Sequence, residues 1–165
     1  MRKVFFYFGI LLCLLSCCGY GYIYLEDHRE AASLSAYCRI DFQSSLDEMG
    51  RIEGATLSLV DYRYGSGRPK DVVTILTDGN NWDIDAVTRQ TAPTYSLSPY
   101  DPDTSFKNMD KFFVEVPFWL LPEIRNAREV RVRFGYDDGT TIDLPLDAHD
   151  LAYWQNVLYE GKQKK

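Results

Sequence analysis

Hydrophobic positions along the chain follow three different spacings. Residues 4–15 (Val-Phe-Phe-Tyr-Phe-Gly-Ile-Leu-Leu-Cys-Leu-Leu) form one apolar block behind Met1-Arg2-Lys3. From residue 55 onward the spacing is two, in short runs rich in branched and aromatic residues and separated by Gly, Asp and Pro. That rhythm predicts strands over 56–64, 71–77, 82–88, 111–116, 129–136 and 141–146. Residues 37–42 alternate as a first strand would. In 82–88, Trp82, Ile84 and Ala86 share one face and Asp83 and Asp85 the other, the mark of a half-buried antiparallel strand. Near the end the spacing becomes helical: Leu151, Trp154, Val157 and Leu158 make one stripe, Asp147 is an N-cap, Asp150 lies in the first turn and Gly161 ends the helix. A shorter helical turn is expected near Pro122, whose missing N–H is harmless in a first turn.

Two hairpins can be read to their register. A two-residue turn at Asp78-Gly79 or at Gly79-Asn80 brings Val73 and Ile75 onto the Trp82/Ile84 face. In the second hairpin, a turn at Asp138-Gly139 alone would set Phe134 against Asp143 and split the apolar sets between the two faces. A three-residue loop, Asp137-Asp138-Gly139 with Gly139 left-handed, instead pairs Phe134 with Ile142, Val132 with Leu144 and Val130 with Leu146. It also sets Arg133 across from Asp143. The expected fold is α+β: a mainly antiparallel sheet or sandwich of about six strands with a C-terminal helix packed on it.

The apolar block bears on location. As a helix it reaches only ~18 Å at ~1.5 Å per residue, short of the ~30 Å hydrocarbon core, and its basic start has the layout of an export signal. Leu14-Leu15-Ser16-Cys17 resembles the lipobox of bacterial lipoproteins. The resemblance implies cleavage between Ser16 and Cys17, a diacylglyceryl thioether on Cys17 and acylation of the new amine. Leu15 departs from the Ala or Ser more usual there. Cys18, rather than an aspartate, after Cys17 leans by the same resemblance to the outer membrane over the inner. An uncleaved signal anchor over residues 4–25 is the alternative, weakened by the glycines and tyrosines of 19–25. The division that follows is a signal peptide over 1–16, a lipidated tether over 17–36, one β-rich domain over 37–161 and a polar tail over 162–165. The sequence of elements at the C-terminal end is also similar to small uncharacterised bacterial envelope lipoproteins, which implies no activity.

Composition narrows the partners. The 165 residues carry 18 Lys+Arg against 24 Asp+Glu, a formal charge of −6, and 45% are apolar. That is one domain with a sizeable core. Losing residues 1–16 would remove Arg2 and Lys3 and no acid, leaving 16 cations against 24 acids, or −8. An acidic domain disfavours nucleic acid, and the lipid, not a basic patch, is expected to hold it to the membrane. Cys18 and Cys38 are a possible disulfide in an oxidising compartment; a buried thiol at Cys38 is the other reading.

Candidate chemistry is sparse. Gly65-Ser66-Gly67 lacks the spacing of a nucleophile elbow, and His149 reads as a solvent-facing residue at a helix start. Asp78, Asn80, Asp83 and Asp85 resemble an oxygen-rich calcium loop but miss the EF-hand pattern. No metal or cofactor is expected. Residues 91–105 hold three prolines, Tyr95 and Tyr100 and no cation, a long segment suited to recognition. These features together predict an envelope lipoprotein with a non-catalytic binding or accessory domain, its partner a protein or envelope polymer. Two alternatives stand beside it: a periplasmic hydrolase or carbohydrate-active enzyme using paired aspartates, and an inhibitor or immunity-type lipoprotein acting through 91–105.

Overall fold

A computed structural model describes residues 31–65, 67–92 and 108–160. Its strands are β1 (Arg39–Leu46), β2 (Ile52–Arg63), β3 (Pro69–Thr77), β4 (Asn80–Thr91), β5 (Asn108–Val116), β6 (Val130–Tyr136) and β7 (Thr141–Pro145). Helix α1 is Leu34–Tyr37, a 3-10 turn covers Phe118–Leu120, α2 is Leu121–Asn126 and α3 is Ala148–Glu160. All pairings are antiparallel in one sheet ordered β1-β2-β5-β4-β3-β6-β7. Strands β2 to β5 form a Greek key: β3, β4 and β5 follow one another side by side, and β2 lies beside β5.

The α+β class and the helix on the sheet are as expected, with two corrections. Among the described residues there are seven strands rather than about six, because 37–42 does lead into a strand at the sheet's edge that pairs along β2. And the described strands make one sheet, curled into a half-barrel, rather than two. The curl follows from a single contact. β2 and β6 stand four places apart, ~19 Å across a flat sheet at ~4.8 Å per strand. Yet Tyr136 on β6 donates its hydroxyl hydrogen to Asp61 Oδ2 on β2 at 2.7 Å.

Alternation explains what fills the half-barrel. Leu57 and Leu59 of β2, Phe112 and Val114 of β5, Val73 and Ile75 of β3, and Val132 and Phe134 of β6 all point inward and are fully buried. Each contributes ~1.5–3 kcal/mol by leaving water. Helices, not strands, close the open side. Asp147 caps α3 by accepting from Asp150 N at 2.8 Å, and Trp154 stacks on Phe42 of β1 with ring centroids 4.1 Å apart. So α3 leaves the β7 edge and lands on the β1 edge. Leu34 of α1, within the stretch expected to be tether, is fully buried beside it.

Both hairpin registers hold. β3 and β4 join through Asp78 and Gly79 at φ 46° and 91°, a primed turn, with Val73 opposite Ile84 and Ile75 opposite Trp82. β6 and β7 pair Phe134 with Ile142, Val132 with Leu144 and Arg133 with Asp143, and Leu146 N donates to Val130 O at 2.8 Å. Gly139 is left-handed at φ 91°.

The strand ends define two rims. The near rim carries the β1–β2 turn (47–51), the β3–β4 turn, the 117–129 connection and Asp147. The far rim carries the β2–β3 crossover (64–68), the β6–β7 turn (137–139), and the points where β4 ends and β5 begins.

Candidate functional site

At the far rim the inward rows of β2 and β5 stop being apolar. Continuing Leu57 and Leu59 in phase are Asp61 and Arg63; preceding Phe112 in phase is Asp110. All three are fully buried, and Asp61 sits directly opposite Asp110. Two carboxylates in register oppose each other, so the cation beside them matters. Arg63 lies 3.6 Å over the Tyr136 ring and donates from Nη2 to Asp138 Oδ2 and to Thr140 Oγ1, each at 3.2 Å. Burial pushes the Tyr136 phenol far above its ordinary range, and the Asp61 and Asp110 charges push it further, so Tyr136 stays a fixed donor to Asp61. Asp138 is held below the usual carboxylate range, first by the Thr140 backbone N–H, then by the Thr140 side chain and by Arg63.

The cluster braces the loops above it. The crossover gives its Gly65 carbonyl to Asn108 Nδ2 at 2.6 Å and its Gly67 carbonyl to Gln90 Nε2 at 2.9 Å. Arg68 N donates to Asp137 Oδ1 at 2.8 Å, and Asp137 N returns a bond to Arg68 O at 3.0 Å. A β-carbon at Gly67 would fall 2.2 Å from Asp138 Oδ2, so any larger residue there would have to push that carboxylate off Arg63 and Thr140. Chemically, the arrangement fixes charge inside the rim and stiffens the platform from which 93–107 leaves and returns.

The near rim is different. A cleft of about 570 Å³ opens between the β1–β2 turn, α2 and the end of α3, floored by Ile52, Leu121, Pro122 and Leu158 and edged by Asp47, Arg51, Glu53 and Arg125. Asp47 organises the turn: it accepts from the backbone N–H of Arg51 at 2.8 Å and of Met49 at 2.9 Å and pairs with Arg51 Nε at 2.8 Å. The Arg51 bonds lower its carboxyl. Phe118 flanks the same cleft. In the 3-10 turn only Leu120 points inward, leaving Phe118 63% and Trp119 56% exposed, with Met49 of the turn at 74%. Trp119 rests edge-on against Trp82 at 5.4 Å, and Trp82 Nε1 is anchored on Thr77 Oγ1 at 2.9 Å.

Sequence-predicted sites fall as follows. Cys17, Cys18, Ser66, Tyr95 and Tyr100 lie outside the described residues. Cys38 is buried at the start of β1. The His149 side chain is 92% exposed at the start of α3, as expected of a solvent-facing residue. Asp147, His149 and Asp150 bring their ligand atoms within 4.8 Å of one another, but Asp147 is engaged in capping the helix and in accepting from Ser35 Oγ. Asp83 and Asp85 face outward from β4. Among the described residues no helix is long and apolar enough to cross a membrane. The sequence reading missed Asp61, Arg63 and Asp110; the available signal was charge at positions in phase with a buried row.

Comparison with known proteins yields little. No family model and no curated protein matches the chain. Among solved structures, the Iho670 flagellar-like filament superposes with a TM-score of 0.36 at 10% identity, over 88% of this chain and 98% of that one. A superposition that loose says nothing about fold or function.

Proposed function

We propose that this is a lipid-anchored protein of the bacterial envelope, held at Cys17, whose domain binds or supports another envelope component without catalysing a reaction. The outer membrane is favoured, with the domain facing the periplasm or the exterior and a protein or envelope polymer as partner. What supports the binding reading is the braced far rim. Buried charge is costly, and here it is placed where it holds a crossover and a turn rigid beneath the ends of a long tyrosine- and proline-containing segment. What supports the anchor is the sequence itself: an apolar block behind Arg2 and Lys3 that runs into Leu14-Leu15-Ser16-Cys17.

The test of the binding reading is a photo-crosslinking amino acid placed at Thr140 or Arg68 in cells. An adduct with one envelope component from these positions, and none from Tyr153 on α3, is the expected result; equal adducts everywhere refute a far-rim partner. The anchor is tested separately by palmitate labelling, which Cys17→Ala abolishes if the reading holds.

The opposed Asp61 and Asp110 favour a second reading, a hydrolase using paired aspartates. Their complete burial, and the commitment of Asp61 to the Tyr136 hydroxyl, weigh against it. Release of fragments from an envelope polymer by the wild type and not by Asp110→Asn would decide for it.

A further inference from the structure

We propose that the near rim is a membrane-docking surface, on which Phe118, Trp119 and Met49 enter the interfacial layer of the bilayer that holds the N-terminal segment; this rests on the anchored reading of the chain.

Three observations carry it. The first is the patch. Phe118, Trp119 and Met49 are large, apolar and more than half exposed; Phe118 lines the near-rim cleft, Trp119 follows it in the 3-10 turn, and Met49 lies in the β1–β2 turn whose Asp47 and Arg51 edge that cleft. Aromatic side chains, tryptophan above all, favour the headgroup region, where an apolar body and a polar N–H are both accommodated. Trp119 is held there by Trp82, so little ordering remains to be done on contact.

The second is where the chain enters the fold. Ser35 donates its hydroxyl to Asp147 Oδ2 at 3.0 Å, and Asp147 stands at the end of β7 on the near rim. Ser35 therefore stands on the near-rim side, from which the chain runs up into β1, whose first residue Arg39 lies opposite Val60 toward the far rim. Between Cys17 and residue 31 the chain can extend no further than ~50 Å at ~3.5 Å per residue. Confined within that distance of a bilayer, even a weak apolar surface meets lipid at high effective concentration.

The third is charge. Asp47, Glu48, Glu53, Asp78, Glu123, Glu129 and Asp147 share this rim with Arg51, Arg125 and Arg128, so attraction to anionic lipid does not drive the contact. The surface suits zwitterionic headgroups, with burial of apolar area as the driving force. Docked this way, the molecule turns its far rim away from the bilayer and leaves it open to a partner.

The experiment uses the full chain reconstituted into phosphatidylcholine vesicles, with or without acyl-brominated phosphatidylcholine. The chain's three tryptophans are Trp82, Trp119 and Trp154, none in the N-terminal segment, so bromine quenching reports the domain while flotation reports the anchor. The expected result is flotation of every variant, quenching of the wild type, and loss of that quenching in Phe118→Ser/Met49→Ser with an unchanged urea midpoint. Trp119→Phe removes most of the quenched emission, and replacing half the lipid with phosphatidylglycerol weakens quenching. Flotation without quenching overturns the dock alone and leaves the rim to a protein partner. Quenching that survives the double substitution, or strengthens on anionic lipid, also overturns it. Failure to float overturns the anchor and the dock together.

Discussion

Arg63 shows how one side chain can serve two distant strands of a sheet. Its guanidinium covers the Tyr136 ring from β6 while its own strand, β2, holds Asp61 beside it. Removing the cation leaves Asp61 and Asp110 facing each other in the interior, and a buried pair that loses one partner typically costs ~3–5 kcal/mol. We therefore expect Arg63→Met, close to the original in volume, to lower the unfolding free energy by about that much in urea titration. Tyr136→Phe, which deletes only a hydroxyl, should cost ~1–3 kcal/mol, the penalty for a buried acceptor that has lost a donor. If Arg63→Met proved the milder of the two, the cluster would be held by packing and not by charge. These residues were hard to read in the sequence because Tyr136 comes 75 positions after Asp61. Alternation flagged which face they occupy but not that this face closes on itself.

At the scale of the element, the β6–β7 hairpin was the most legible region of the molecule. Its register is set by a local turn and by the demand that both apolar sets share a face, so no distant information was needed. Gly139→Ala tests the left-handed loop: at φ 91° an added β-carbon should cost ~1–2 kcal/mol, read as a lower midpoint in thermal unfolding. On the outer face Asp143 accepts from Arg133 Nε at 2.8 Å and from Arg131 Nε at 2.9 Å. Burial alone would raise its carboxyl, but the Arg133 and Arg131 bonds outweigh it and hold it below the usual range. A depressed native value means the unfolded state binds the proton more readily. The stabilisation is thus complete above the ordinary aspartate range, near pH ~4, and fades as pH falls through the native value. Asp143→Asn should cost no more than ~1 kcal/mol at pH 7, since the pair is partly exposed, and the gap to wild type should close in acid. A gap independent of pH would mean the loss is one of packing. The second arginine on Asp143 was not foreseen, because Arg131 reaches it diagonally rather than from across the strand.

For the whole molecule, the order of elements was legible and the closure was not. Alternating strands fit a sandwich as well as a curled sheet; what decides is that Trp154, Leu158 and Leu34 supply the covering layer that a second sheet would otherwise provide. Trp154→Ala should therefore cost ~3–5 kcal/mol and, by separating α3 from Phe42, raise amide exchange in β1 before it does so in β3. Uniform exchange across the sheet would show that the seam is not a separate unit. The position of β1 has one more consequence. Among the described strands it is at the edge, paired on one side only, and it comes first in the chain. If that segment is fixed in a bilayer while a partner pulls on the opposite end, tension enters through α1 and then reaches Arg39, at the open end of the β1–β2 ladder. Its hydrogen bonds would break in succession, not all at once, so the domain should yield at low force by shedding β1 first. Such a domain would behave as a give-way link in the envelope, extending before the lipid is torn from the membrane.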